Sequence, residues 1–282
     1  MEILTAYVRK NSKAENVATK KVIHLDMDIQ ANESIKSEVT EVRKISLDIQ
    51  AILTVLGKRQ HSVNYGDSNH LNLRSTCLQG ADLVKAHLEG ADLIMANFEG
   101  ADLNDAHLEG AYLNDARLKG AMNLRKAHFE GAILMNVNLT GAHLSNLENA
   151  IFIKANLKGA SLFMAHLERA ILTEAHLEGA NFEKANLKKA NLRKANLEGA
   201  ILIEAHLEEA DLDKTNLEGV VFIKANLKGA KFLTIDQLSK VKTLYDAKID
   251  EELLIPLKEK FPELFEKPDS IIIAKSGYTI FF

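Results

Sequence analysis

Histidine is the residue type in this chain that most invites a chemical reading. The 282-residue sequence holds ten. Seven of them, His87, His107, His128, His143, His166, His176 and His206, directly precede a Leu or Phe in one shared register. Imidazoles ligate metals and titrate near neutrality, so a row of them suggests a metal site or proton chemistry. Carboxylates also stand close together, as in Asp102 with Asp105 and Glu208 with Glu209. A hydrolytic pair, however, needs a cleft that drives the two pKa values apart. No Gly-rich phosphate loop, Ser-His-Asp order or His-Glu-x-x-His spacing occurs. The single cysteine, Cys77, excludes a disulfide framework and cysteine-ligated zinc, and fits a reducing compartment. Whether any of these groups can act together depends on the elements that carry them.

Those elements are set by a repeat. From Leu73 to Phe232 a Leu or Phe recurs every fifth residue, with a small residue, nearly always Ala, two positions earlier. Ala81-Asp82-Leu83, Ala86-His87-Leu88, Ala91-Asp92-Leu93 and Ala96-Asn97-Phe98 show the pattern. Five residues turn an α-helix through about 500°, which spreads successive large residues around the whole circumference. A straight strand alternates with period two and sends them to opposite faces. A chain that bends once per repeat satisfies the spacing, with every large residue aimed at one axis. With the large residue called i, the predicted core is Leu83, Leu88, Leu93, Phe98, Leu103, Leu108, Phe152, Leu157, Leu162 and Leu167. Ala at i−2 shares that interior, because overpacking there costs roughly 1–3 kcal/mol. Positions i−1, i+1 and i+2 face outward. Gly at i+2, as at Gly100, suits a bend with positive φ. Backbone groups are expected to pair almost entirely between neighbouring coils, about 4.8 Å apart. The phase slips twice, by one added residue near Met122 and by two removed at Ser145-Asn146-Leu147.

Tandem Ala-(Asp/Asn)-Leu-x-x resembles the signature of the pentapeptide-repeat family, over residues 71–232. The resemblance implies an all-β solenoid, a right-handed quadrilateral β-helix of about eight coils with about four repeats each, roughly 40 Å long. Four repeats per coil would place His87, His107 and His128 on one face, with imidazoles about 5 Å apart. A weak metal site in that column is the second alternative; a solvated polar column is the simpler expectation, since Asn and Asp use the same position freely. The slips are expected to form a bulge or small loop on one edge.

Both ends of a solenoid expose unpaired edges and need lids, so short α-helices are expected to cap the rod. Residues 1–44 read as an N-terminal helical or poorly ordered segment, with residues 11–40 polar and poorly patterned. Residues 45–70 read as an N-terminal capping helix and linker. Ile45, Ile49, Ile52, Leu53 and Leu56 share one helical face there. This stretch, and Leu4-Thr5-Ala6-Tyr7-Val8-Arg9 upstream, are similar to segments that precede the repeats in bacterial members. Residues 233–268 are expected to form the C-terminal capping helices. Thr234-Ile235-Asp236-Gln237 reads as a capping box and Asp250 as an N-cap, with Pro256 kinking or shortening the second helix. Residues 269–282 form an apolar tail with Ile271, Ile272, Ile273, Tyr278, Ile280, Phe281 and Phe282. It suits either a short strand against the lid or an exposed strand that recruits a partner, a second copy in a homodimer being one such partner.

Net charge is −4, and no apolar run approaches the ~18–20 residues of a membrane span. A soluble, cytoplasmic protein is expected. Residues 81–110 carry seven acids (Asp82, Glu89, Asp92, Glu99, Asp102, Asp105, Glu109) against Lys85, whereas residues 181–200 are basic on balance. That alternation disfavours direct nucleic-acid binding, which calls for a continuous basic stripe. The resemblance implies an alternative, because some members imitate duplex DNA and regulate DNA gyrase. The leading expectation is a protein-interaction scaffold with no enzymatic activity, no cofactor and a protein partner of unknown identity. Its candidate contacts are Asp82, Asp92, Asp102 and Asp105, with the outward apolar residues Ile151, Ile171, Ile201 and Val221.

Overall fold

The structure, a computed structural model, describes residues 71–121 and 123–268. The helix expected over residues 45–58 and the apolar tail lie outside the described residues. Within the described residues the repeat builds a four-sided solenoid. Asn72, Cys77, Asp82 and His87 begin its first to fourth sides, and Asp92 then bridges back to Asn72 in parallel. The same twenty-residue return links Asp82 to Asp102 and His87 to His107. The large residues fill the axis: all ten named core positions are buried, and Phe98, Leu103 and Phe152 have no exposed surface.

Among the described residues every bridge is a single residue, and no longer strand forms. The reason is local. Each repeat spends i+1 and i+2 on a turn, so only i−1 remains extended beside its neighbours. Residues 185–189 show where the five donors go. Asn186 N–H donates to the Ala165 carbonyl of one neighbouring coil at 2.9 Å, while Leu187 and Lys189 donate to His206 and Glu208 of the other at 2.7 and 2.9 Å. Ala185 N–H closes the turn onto Phe182 O at 2.9 Å. Lys188 N–H donates to the Asn186 side chain at 3.2 Å. Pairing is therefore not almost wholly between coils, as the repeat alone suggests; two of these five donors are satisfied inside the coil.

The slips bend one edge without breaking the core. Asn123 adopts φ 59° and leads into a 3₁₀ turn, Leu124–Lys126. His107 then pairs with His128, His128 with Asn146, and Asn146 with His166, so the register lengthens, shortens and returns to twenty. Ser145 Oγ donates to the Arg125 carbonyl across the edge.

The ladder also continues past Phe232, with Val221 bridged to Thr243 and Asn226 to Lys248. Leu244 and Ile249 supply buried centres there. The repeat is masked in sequence because Lys242 stands where Ala is usual. Phe232, a predicted centre, is instead 62% exposed, and Leu233 takes the inward place. At φ 60° Phe232 sits in a turn and is carried outward.

Helix α1, Ile235–Leu238, opens with a capping box in which Gln237 N–H donates to Thr234 Oγ1 at 3.2 Å and Thr234 N–H to Gln237 Oε1 at 3.0 Å. Gln237 Nε2 also donates to the Leu212 and Thr215 carbonyls at 2.9 and 3.0 Å, closing the end of the rod. Helix α2, Glu251–Lys260, runs through Pro256 and buries Leu257. Asp250 does not cap it with its side chain. Its Oδ2 accepts from Gly229 N–H at 2.9 Å, tying the helix to the last coils. A 3₁₀ turn, Pro262–Phe265, follows and buries Leu264.

Candidate functional site

The outer sides carry whatever this molecule does, and i−1 is the position that shapes them. Where it is Asn or Asp, its side chain accepts from the i+1 N–H at most positions: Asp82 from Val84 at 3.1 Å, Asp92 from Ile94 at 3.2 Å, Asp102 from Asn104 at 3.0 Å and Asn156 from Lys158 at 3.2 Å. These are Asx turns. Spacing marks i−1 as merely wet and does not reveal them. Free exchange of Asp with Asn is the available signal, because the two share this acceptor and differ in charge.

Where i−1 is His and i+1 is Glu, as at every one of the seven but His143, the ring turns to that Glu. Nδ1 to Oε1 distances are 2.7 Å for His87–Glu89, 3.0 Å for His107–Glu109 and 3.5 Å for His128–Glu130. On the fourth side the three rings stack at 4.8 Å, within 5° of parallel. Glu89, His107 and Glu109 bring one ligand atom each within 4.8 Å, as do Glu109, His128 and Glu130. A zinc ion joins two nitrogens separated by at most about 4.2 Å, so rings stacked in this way cannot share it without tilting. The second oxygens of Glu109 and Glu130 are buried and lack a donor among the described residues, but so are those of Glu168, Glu178 and Glu208. That orphaned oxygen therefore belongs to the His-x-Glu unit and does not mark a metal centre. The cluster can hold protons and shape a polar surface.

The acidic candidates are divided. Asp82 and Asp102 bridge each other on the third side, whereas Asp92 lies on the first, opposite them, beside Tyr112. Asp105 occupies a turn with φ 54°. The basic stretch of the later coils is answered by acids: Arg193 lies 2.9 Å from Asp213 and 3.6 Å from Asp211, and Lys189 lies 3.6 Å from Glu209. Glu208 is flanked by Lys188 at 3.5 Å and His206 at 3.4 Å. Its partial burial raises the pKa, but its own N–H, His206 and the Lys188 ammonium together outweigh this and hold the carboxyl below its ordinary value.

The apolar candidates also part company. Ile151 and Ile171 bridge each other on the first side and remain half-exposed. Ile201 and Val221 bridge on the third side but are buried, at 3% and 5% exposure. They form a second apolar cluster with Ile203 and Ile223. Their expected role as exposed contacts is therefore corrected. Beside the inserted residue a cavity of about 410 Å³ is lined by Lys119, Asn123, Arg125, Thr140 and His143 among others. It gathers cationic groups without a nucleophile and base in partnership.

The sequence matches a family profile described as pentapeptide repeats, in eight copies over residues 69–105, 81–120, 121–146, 160–199 and 200–232. No curated protein matches it. Among solved structures it is similar to HetL, a pentapeptide repeat protein involved in heterocyst differentiation regulation from the cyanobacterium Nostoc sp. strain PCC 7120. Identity is 31% over 64% of this chain and 88% of that one, with a TM-score of 0.32. It is also similar to QnrB1, a plasmid-mediated fluoroquinolone resistance protein, at 22% identity over 59% of this chain and 86% of that one, TM-score 0.38. A third is Rfr23 from the cyanobacterium Cyanothece 51142, at 33% identity over 42% and 64%, TM-score 0.23.

Proposed function

As this chain belongs to the pentapeptide-repeat family, we propose that it is a non-catalytic, rigid protein-interaction scaffold working through its outer sides. Members of the family fold as right-handed quadrilateral β-helices, and the rod here is read as about eight coils over residues 71–232. The observation that carries the reading is the arrangement of the sides. Each is a column of side chains held in parallel register by bridges one coil apart, over a fully buried core. Such a surface is pre-organised for an extended partner more than for a small molecule, which needs an enclosing pocket. Among the described residues no helix is long and apolar enough to cross a membrane. A cytoplasmic protein partner, of identity still to be found, completes the proposal.

Three double variants test it in pull-down and titration against the captured partner. Asp82→Asn with Asp102→Asn neutralises the third side, Asp92→Asn with Asp105→Asn removes charge elsewhere, and Ile151→Thr with Ile171→Thr alters the first side. One of them should weaken binding by at least about two- to five-fold, the range of single exposed charge contacts. Binding indifferent to all three, or no protein captured at all, overturns the scaffold. The gyrase-mimic alternative has less support, because the acids stand on opposite sides and the later coils are ion-paired. Unchanged gyrase supercoiling at micromolar protein would dismiss it.

A further inference from the structure

The first side carries an apolar strip that the core does not need. Tyr112, Ile133, Ile151 and Ile171 follow one another at i−1 in four consecutive coils, each bridged in parallel to the next. Met135 and Ile153 stand beside them at i+1. Tyr112 is 42% exposed and the other five are half-exposed, while Leu134 and Phe152, the inward residues of the two middle coils, are wholly buried. On either side of the strip i−1 is Asp92 or Asn191, which accept from the i+1 N–H at 3.2 and 3.1 Å. Isoleucine has no acceptor to offer, so three coils in succession forgo that bond. The strip also has a polar rim. Arg74 lies 3.8 Å from Asp92 before it and Arg193 2.9 Å from Asp213 beyond it, while Glu174 lies 3.8 Å from Lys154 and 3.7 Å from Lys194 along its edge. Those charges answer one another, so apolar area and shape, more than charge, are what the strip offers.

We propose that this strip docks one amphipathic α-helix of a protein partner, laid along the rod. The inference rests on the scaffold reading and names the class of partner. Size argues against a second copy of the rod. Four coils about 4.8 Å apart make a strip about 15 Å long, and one side is about 10 Å wide. That footprint is far short of the ~800 Å² each partner contributes to a stable dimer. It matches instead the ~10–12 Å breadth of a single helix over three to four turns. Period selects the element. A helix rises about 5.4 Å per turn, so one apolar residue per turn meets one coil and drifts by only about 0.6 Å per coil. Along an extended strand the residues of one face recur every ~6.7 Å, so across the strip the match slips by about a whole coil. Apolar anchors at i, i+4, i+7 and i+11 are therefore what the four coils select.

The test selects binders for the immobilised full chain from two displayed peptide libraries of about 14 residues. One holds apolar residues at i, i+4, i+7 and i+11 among helix-favouring residues, the other at every second position. Binders should come from the first, gain helical circular dichroism on binding, and bind almost equally in low and high salt. Ile151→Asp with Ile171→Asp should weaken them at least about ten-fold. Asn191→Ile, which lengthens the strip by one coil, should tighten a helix one turn longer by at least about three-fold, a gain that does not depend on the aspartate pair folding. No binder from the first library, or helices indifferent to both variants, overturns the proposal. Binders from the second library alone overturn it in favour of an extended strand. A chain that sediments as a dimer, and that the aspartate pair splits, assigns the strip to a second copy and overturns it as well. A captured partner released only by the third-side variants leaves the scaffold standing and removes the helix site.

Discussion

At the scale of single residues, the i−1 side chain is a hydrogen-bond acceptor first and a charge second. Asp102 accepts from Asn104 N–H at 3.0 Å as Asn186 does from Lys188 at 3.2 Å. Asp102→Asn should therefore leave thermal stability nearly unchanged. Asn186→Ala, which strips the acceptor, should cost about 0.5–1.5 kcal/mol in denaturant unfolding. Glu208 adds a pH dependence. Because its pKa is lowered in the fold, its contribution is present above the ordinary value of 4.5 and is lost as pH falls through the lower folded value. The stability gap between the native chain and Glu208→Gln should be constant near neutrality and close on acidification below that window. The inward residues were legible from spacing alone; the Asx and His-Glu bonds were not, because spacing says nothing about which way an outward side chain turns.

At the scale of the element, the repeat is a turn whose i+2 residue takes positive φ whatever its type. Gly100 has φ 69°, with no atom within 4 Å of the place a Cβ would occupy, and Lys154 has φ 58°. Gly100→Ala should thus lose about 1 kcal/mol by backbone strain alone, and Lys154→Gly should gain up to about 1 kcal/mol at the equivalent bend. Both are read as shifts in the unfolding midpoint. The central layer is less forgiving: Leu162→Ala, at a side chain with no exposed surface, should cost about 2–5 kcal/mol. Where the sequence misled, local composition hid the geometry. Phe232 keeps the five-residue phase yet is turned outward, and Leu244 lies inward although Lys242 breaks the Ala pattern. Asp250 had the right type for a cap, but Gly229 N–H takes its carboxylate.

At the scale of the molecule, the repeats make a rod in which each coil rests on its neighbours and α1 and α2 close the later end. Its sides differ in character. The fourth carries stacked imidazoles, the first half-exposed isoleucines, and the third an acidic start and a buried apolar stretch. The most direct test of the rod is residue-resolved amide exchange over residues 150–230. Protection should repeat with period five, slow at Asn186, Leu187 and Lys189 and fast at Lys188, whose N–H is held by an outward side chain. Uniform protection along the stretch, as a continuous helix gives, or no protection at all, would contradict it.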